Sequence, residues 1–405
     1  MNTHALIIYD DGRGRLGPLT ATRPAFGILT GALETQARIE RVVGRAASAL
    51  WCPKRLAGVV SELRPTVAVN PDRLADPACL LVNGRWAGTR FAQQVKTLTH
   101  NQALVQNDGQ AVAVVLSGED ALAYLRDGCA TLPDRVRTVR VQDRALIDRP
   151  WHILDELPGN LASDLSSHEA PIFHSDQHPG VTAFGGHAIR VGTGARIMPS
   201  AVIDAEHGPV VIDTGAVINP LTVLQGPCYI GRDAVLVSHT SIRRNTVIGP
   251  GCKVGGEVSA SIMHGYSNKA HQGYLGDSLV GAWVNLGAGT STSNLKNTYG
   301  NIRVQLDRDT PAEDTGRTFL GSIIGDYVRT AIGSRLPTGA VIHPGCMIAD
   351  TGWVPKLAMP LGFYNGPQRR DYDTDKLIDT IKRAMARRDR RLSDAEEALV
   401  RSLAS

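Results

Sequence analysis

The stretch that decides the fold runs from residue 212 to residue 254: IDTGAVINPLTVLQGPCYIGRDAVLVSHTSIRRNTVIGPGCKV. Stepping by six from Ile212 gives Ile218, Leu224, Ile230, Leu236, Ile242, Ile248 and Val254, an unbroken column of large aliphatics. Two residues before each of the last seven stands a small side chain: Ala216, Thr222, Cys228, Ala234, Thr240, Thr246 and Cys252. Neither the 3.6-residue period of a helix nor the 2-residue period of a strand produces this pattern. It fits short strands that turn a corner every six residues and wind into a triangular parallel β-helix, with about eighteen residues per coil. The aliphatic points into the prism and stacks on its equivalents above and below. Gly231, Gly249, Gly255, Asn219 and Asp213 directly follow aliphatics, where a corner needs permissive backbone angles. Such coils wind left-handed, a departure from the right-handed crossover rule.

Working outward, the period begins earlier, at Val191, Ile197 and Ile203, and slips by three residues around 206–209. It returns as Ile324, Thr330, Leu336, Ile342 and Ile348, with Ser322, Val328, Ser334, Ala340 and Cys346 two before. The segment between, about 257–318, is out of phase. It is polar and rich in Gly and Asn, as in GYSNKAHQGYLGDS and NLGAGTSTSNLKNTYGN. A long loop leaving a solenoid is usually functional. The alternative is a passive spacer or oligomerisation stalk, which has no need of a loop so rich in His, Lys, Asn and Tyr.

The chain has 405 residues, room for two or three domains. Its formal net charge of +4 gives no argument for nucleic-acid binding. Only 5% of residues are aromatic, so the core is built from Val, Ile, Leu and Ala, and 42 glycines ask for many tight corners. No apolar run approaches the ~18–20 residues of a membrane span. The opening MNTHALIIYDDGRG does not read as a signal peptide. Cys52, Cys79, Cys129, Cys228, Cys252 and Cys346 form no CxxC pair. A cytoplasmic protein without a metal site, membrane or nucleic-acid partner is the expectation.

Residues 1–165 lack the hexad. ALIIYD (5–10) and VAVVLSG (112–118) read as buried strands, the second followed by the helical EDALAYLRDG, which predicts an α/β sheet domain. The run DDGRGRLGPLTATRP leaves the first strand at its carboxyl end, where such sheets bind phosphates. Asp11, Gly12, Gly14, Arg15 and Arg23 are the candidate nucleotide contacts, through backbone N–H groups and guanidinium charge. An ordinary Gly-rich turn with solvated arginines reads equally well. Residues 154–175 are polar and loop-like and take the domain junction. The β-helix then spans 180–360, and residues 371–405 form a helical tail. Leu377, Ile378, Ile381 and Met385 lie at helical spacing, and Ser393 with Glu396 reads as a capping box. The run ARRDRR reads as a solvated helix face.

With the repeat and its interruption in view, the chain resembles the bifunctional N-acetylglucosamine-1-phosphate uridyltransferase and glucosamine-1-phosphate acetyltransferase family. Those enzymes join an α/β nucleotidyltransferase domain to a left-handed β-helix. The likeness is greatest to a divergent bacterial branch of sugar nucleotidyltransferases, through DDGRGRLGPLTATRP, the Val82-Asn83-Gly84-Arg85 element and the 255–278 block. It is strong over 248–297 and weak over the first domain. The family's His-x-x-Tyr-Leu-Gly-Asp appears as His271-Gln272-Gly273-Tyr274-Leu275-Gly276-Asp277. The resemblance implies that His271 is the general base and Tyr274 a sugar-phosphate contact. Val284-Asn285-Leu286-Gly287-Ala288-Gly289-Thr290 matches the next family stretch, which implies Asn285 at the sugar and Ala288 and Gly289 at acetyl-CoA. Asn294 falls at another site asparagine.

Two departures stand out. Ser259 occupies the place of the family's phosphate-binding lysine, for which Lys269 and Lys296 are the candidate substitutes. In the first domain the family's Gly-x-Gly-Thr-Arg and Pro-Lys are replaced by Asp11-Gly12-Arg13-Gly14-Arg15 and Pro24-Ala25. The lost lysine would help neutralise a triphosphate.

Acyl transfer from a thioester to an amine needs a base, an oxyanion donor and a means of holding the two reactants together. An unperturbed imidazole, with a pKa of about 6.5, suits the first task. A backbone N–H of the 287–290 run suits the second. His271 also reads as a surface histidine, Tyr274 as packing and Asn285 as a corner residue. The expected function is a sugar-phosphate transferase of nucleotide-sugar biosynthesis. It would N-acetylate an amino-sugar 1-phosphate from acetyl-CoA in a homotrimer whose sites lie between neighbouring prisms. The alternatives are a Mg²⁺-dependent sugar-1-phosphate nucleotidyltransferase with a structural β-helix, and a non-catalytic scaffold.

Overall fold

The computed structural model describes residues 4–74, 76–366 and 368–404. In the first domain ALIIY forms β1 (Ala5–Tyr9), followed by β2 (Ala49–Trp51), β3 (Ala68–Val69), β4 (Ala78–Asn83), β5 (Gln102–Gln106), β6 (Ala111–Ser117) and β7 (Arg137–Val141). They form one sheet in the order β3-β2-β1-β4-β6-β5-β7. β1 is parallel to β2 and β4, while β6 runs antiparallel to β4 and β5, so the sheet is mixed. Helices α1 (Thr35–Val43), α2 (Lys54–Leu63), α3 (Ala92–Thr97) and α4 (Gly118–Arg126) complete it. The Ser117 hydroxyl caps α4 by accepting from Asp120 N–H.

The loop-like reading of 154–175 is overturned over its first part. A helix, α5 (Pro150–Ser166), runs straight through Pro158. Proline removes one helical hydrogen bond. Burial of Leu154, Leu157, Leu161 and Leu165 along one stripe offsets that loss. Buried Asp164 takes Arg38 and Arg41 from α1, so α5 is fixed to its own domain as well.

The hexads form the left-handed parallel β-helix that their spacing predicts. Face one holds nine strands, from Ile189–Val191 to Leu357–Ala358. Face two starts at Arg196–Ile197 and face three at Thr182–Phe184. The column from Ile212 to Val254 is wholly buried, as are the small residues that precede it. The outward side of face one is apolar as well. Val211, Val247, Ile262, Leu279, Ile323 and Val341 pack against α5 and the 16–32 loop of the first domain. That explains continuous apolar strands such as Val210–Ile212, which bury both faces.

The out-of-phase segment is shorter than the sequence suggests. Residues 257–292 stay on the prism, with Val258, Met263, Leu275, Val280 and Leu286 pointing in. The period fails because three corners are cut short, from Val254 to Val258, from Val258 to Met263 and from Leu275 to Val280. Only residues 293–320 leave the coil, and they contain a hairpin of Arg303–Val304 with Glu313–Asp314. This excursion packs on its own first domain. Ile302, Val304 and Leu306 are buried beside α5, and Glu313 pairs with Arg15 and Arg149.

The tail forms α6 (Thr374–Ala386) and α7 (Asp394–Arg401), and the expected capping box at Ser393 and Glu396 is present. Its apolar stripe covers Tyr327 and Leu361 of the prism, while Leu399 reaches the α2 side of the first domain. The charge run is a gripping turn as well as a solvated surface. Arg388 donates to Asn268 Oδ1 (2.9 Å) and Arg390 to the Tyr266 hydroxyl (2.9 Å). No helix among the described residues is long and apolar enough to cross a membrane.

Candidate functional site

His271 stands on the edge where face two turns into face three. The chain leaves face two at Asn268–Lys269, turns through 270–273 and enters face three at Tyr274–Gly276. The next coil makes the same turn through 287–290, directly stacked on the first, with Gly289 N–H donating to Gln272 O (3.1 Å). Only glycine fits at 273. Its φ is +127°, and a Cβ would lie 2.2 Å from Thr290 O. The N–H groups of Gly287, Gly289 and Thr290 are taken by Thr330 Oγ1, Gln272 O and Gly287 O. Among the described residues, Ala288 is left with the one unengaged N–H of that run. The imidazole of His271 is exposed on the single chain.

Lys269 is not a surface cation. It occupies an inward position of face two, between Val254 and Leu286, and is 2% exposed. Its ammonium donates to Gly255 O (2.7 Å) and His271 O (3.2 Å). Burial pulls its pKa down to about 8, partly countered by the Glu257 carboxylate. The reading of Lys269 as a phosphate ligand is therefore corrected: it anchors the corner that carries His271. An ammonium buried without acceptors would be costly, and the two carbonyls supply them.

Tyr274 lies on face three with its ring over Gly276, where a Cβ would sit 2.3 Å from the phenolic oxygen. This gives Tyr-Leu-Gly-Asp a structural reason. Asn294 Nδ2 donates to both Tyr274 Oη (3.1 Å) and Asp277 Oδ2 (2.7 Å). Burial raises the pKa of Asp277, against the pull of Asn294 and Arg317. Ser259 shares this face with Tyr274, and Glu257 pairs with Arg243 (3.1 Å). Asn285 lies on face two, in a row between Asn268 and Arg329. Lys296 closes its own loop by donating to Asn301 O. So Tyr274 and Asn294 come together, Ala288 and Gly289 stack beneath the His271 corner, and Asn285 lies on the neighbouring face.

Sequence reasoning missed Arg329. Its Nε and Nη2 are buried without a partner among the described residues, one coil on from Asn285. Counting hexads back from Leu336 places it in that row, but the excursion's unknown length hides the link.

In the first domain, Asp10 Oδ1 accepts Gly12 N–H (2.9 Å) and Oδ2 accepts Ala25 N–H (2.7 Å). Asp11 is gripped by Arg85 through Nε (2.9 Å) and Nη2 (2.6 Å), and by Asn83 Nδ2 (2.9 Å). Burial pushes the Asp11 carboxyl up, but the bonds from Arg85 outweigh it and hold the pKa below the usual carboxylate value. Arg85 is itself 1% exposed, also pairs with Asp148, and fills the space over Gly14, where a Cβ would meet it at 2.5 Å. Arg15 pairs with Glu313 (2.8 Å) and Arg23 with buried Asp326, both on the β-helix side. The solvated-arginine and phosphate-loop readings both give way: Arg15 and Arg23 are interdomain ties. Gly12 remains exposed at its turn. Each Asp11 oxygen accepts two hydrogen bonds, including those from Arg85, so the Asp11 carboxylate as held here is not free for a divalent cation. No group of three or more His, Cys, Asp or Glu is arranged for a metal among the described residues.

Residues 6–170 match the family model described as sugar nucleotidyl transferase. The chain is similar to the bifunctional protein GlmU of Picosynechococcus sp., 31% identical over 154 residues, covering 36% of this chain and 31% of that protein. It is 33% identical to the GlmU of Methanococcus maripaludis over 149 residues, 35% of this chain and 36% of that one. A bifunctional sugar-1-phosphate nucleotidylyltransferase/acetyltransferase of Sulfurisphaera tokodaii is 32% identical over 155 residues, 36% of this chain and 38% of that one. The chain thus spans about a third of the length of these curated relatives. A solved UDP-N-acetylglucosamine acyltransferase overlaps 57% of this chain and 86% of its own, at 13% identity and a TM-score of 0.17, too loose to carry an argument. Residues 6–170 thus match the sugar nucleotidyl transferase model, and over about a third of its length the chain is similar to bifunctional GlmU-like proteins.

Proposed function

We propose that this protein is a transferase of nucleotide-sugar biosynthesis. Its β-helix would move an acetyl group from acetyl-CoA to the amine of an amino-sugar 1-phosphate. The observation that carries the reading is the stacked pair of corners at 270–273 and 287–290, in which His271 and the unengaged Ala288 N–H hold equivalent positions of neighbouring coils. His271 takes a proton from the ammonium, and the freed amine attacks the thioester carbonyl. The C–N bond forms first, giving a tetrahedral oxyanion; as this collapses the C–S bond breaks, and the proton that the nitrogen sheds is taken up by the leaving thiolate. Ala288 N–H stabilises the oxyanion in between. The second wall of the site comes from another copy. Leu221 and Ile332 lie exposed at two separate points of the same edge, at 49% and 66%, and give a neighbour in a homotrimer apolar contacts above and below the His271 corner.

A second reading has its own support, the family match over the first domain. A nucleotidyltransferase there would need Arg85 to release Asp11 before binding a nucleotide and Mg²⁺. One paired assay separates the two. The first reading expects CoA thiol release from acetyl-CoA that depends on glucosamine-1-phosphate. The second expects pyrophosphate release from UTP or dTTP. Absence of amino-sugar-dependent thiol release contradicts the proposal.

A further inference from the structure

A cavity of about 480 Å³ opens on a different edge of the prism, where face one turns into face two. It is walled by all three parts of the chain. The first domain supplies Phe26, Val59 and Val60, the prism His264, Tyr266 and Trp283, and the tail Arg390, Arg391 and Glu396. Its volume lies within the range of small-molecule sites, roughly 300–1,000 Å³.

Three features of the wall define a ligand. In a chain that is 5% aromatic, Phe26, Tyr266, Trp283 and Tyr327 converge on this space. Tyr266 and Trp283 stack at 4.5 Å with planes 6° apart, and the Arg390 guanidinium lies 5.6 Å from the Tyr266 ring centre. This rigid, ring-edged wall suits a flat heterocycle. The cation side is Arg390 and Arg391, both exposed, and Arg391 has no ion pair among the described residues. The remaining arginines are committed, Arg23 to Asp326 and Arg64 to Glu34. The third feature is His264, 4% exposed, whose Nε2 has no hydrogen-bond partner among the described residues. A buried polar atom left unpaired is costly, and a ligand group that reaches it recovers that cost. Glu62 and Glu396 add acceptors for hydroxyl or amino groups.

We infer that this three-way junction is a binding site for a nucleoside phosphate, separate from the His271 edge. The heterocycle lies against the aromatic wall, a ring or sugar group meets His264 Nε2, and the phosphate faces Arg390 and Arg391. Because the walls belong to three parts of the chain, occupancy ties the tail and first domain to the prism. Burial and the nearby Arg23 guanidinium keep His264 neutral, so it is free to donate or accept a hydrogen bond.

Calorimetric titration of the full chain with UMP and AMP, and with uridine and inorganic phosphate as controls, tests this. Expected is saturable binding of at least one nucleotide, weakened at least tenfold by the surface change Arg390→Ala with Arg391→Ala and by His264→Leu. Arg13→Ala, in the loop after β1, leaves it unchanged. The inference is overturned by no saturable binding at millimolar nucleotide, by binding unaltered by the paired arginine change, or by binding abolished by Arg13→Ala alone. Inorganic phosphate binding as tightly as the nucleotide would also defeat it. Acetyl transfer is a separate readout, so failure here leaves the His271 reading untouched.

Discussion

Lys269 shows how one residue carries a cost for geometry. An aliphatic at its inward position would continue the hydrophobic column between Val254 and Leu286. The ammonium instead fixes the carbonyl of His271, the proposed base. Its folded pKa of about 8 lies below the ordinary lysine value of 10.5. Between those values the unfolded chain holds more protons, so stability rises with pH across that window and is lowest below it. The rise should be on the order of 3 kcal/mol. Denaturation of the wild type and of Lys269→Met at pH 7 and pH 10 should show the rise in the first only, and parallel profiles would contradict this account. Lys269→Met should also slow acetyl transfer by loosening the corner. This lysine was hidden in the sequence because short corners at 255–257 displaced the hexad frame. Its inward orientation reads only from the strand register. The column from Ile212 to Val254 was legible because nothing interrupts it.

Among elements, the ties between domains were the least visible from sequence. Arg15 and Arg23 sit in a Gly/Arg loop that invites a phosphate, yet their carboxylate partners Glu313 and Asp326 lie some 300 residues on. Nothing local distinguishes an arginine that waits for a ligand from one already paired. The helix α5 was hidden by Pro158 and Gly159, because its stability comes from burial against face one rather than from propensity. Asp326 is the strongest tie. It accepts from Thr22 Oγ1 (2.7 Å), Ala282 N–H (2.8 Å) and Arg23. Asp326→Ala leaves a largely buried guanidinium unpaired and should cost about 3–5 kcal/mol. Calorimetry should then resolve separate unfolding of the first domain and the prism. A single transition at the wild-type temperature would show that the tie is unimportant.

At the scale of the molecule, the three faces of the prism have different duties. Face one is covered by the first domain, and face two is partly covered by the tail. The edge bearing His271, Ala288 and Ile332 is uncovered on the single chain, and in the proposed trimer it faces another copy. Ile332→Asp at this edge should convert a trimer to monomers in sedimentation velocity and abolish acetyl transfer without altering the circular dichroism. A trimer that persists, or a monomer that keeps full activity, would contradict a shared site.

The most direct test is the steady-state rate of acetyl transfer from acetyl-CoA to glucosamine-1-phosphate by the wild type and by His271→Ala. The exposed imidazole takes no part in the packing of the prism, so the variant should fold and assemble normally. The account predicts a loss of roughly a hundredfold or more. A rate equal to that of the wild type would contradict it.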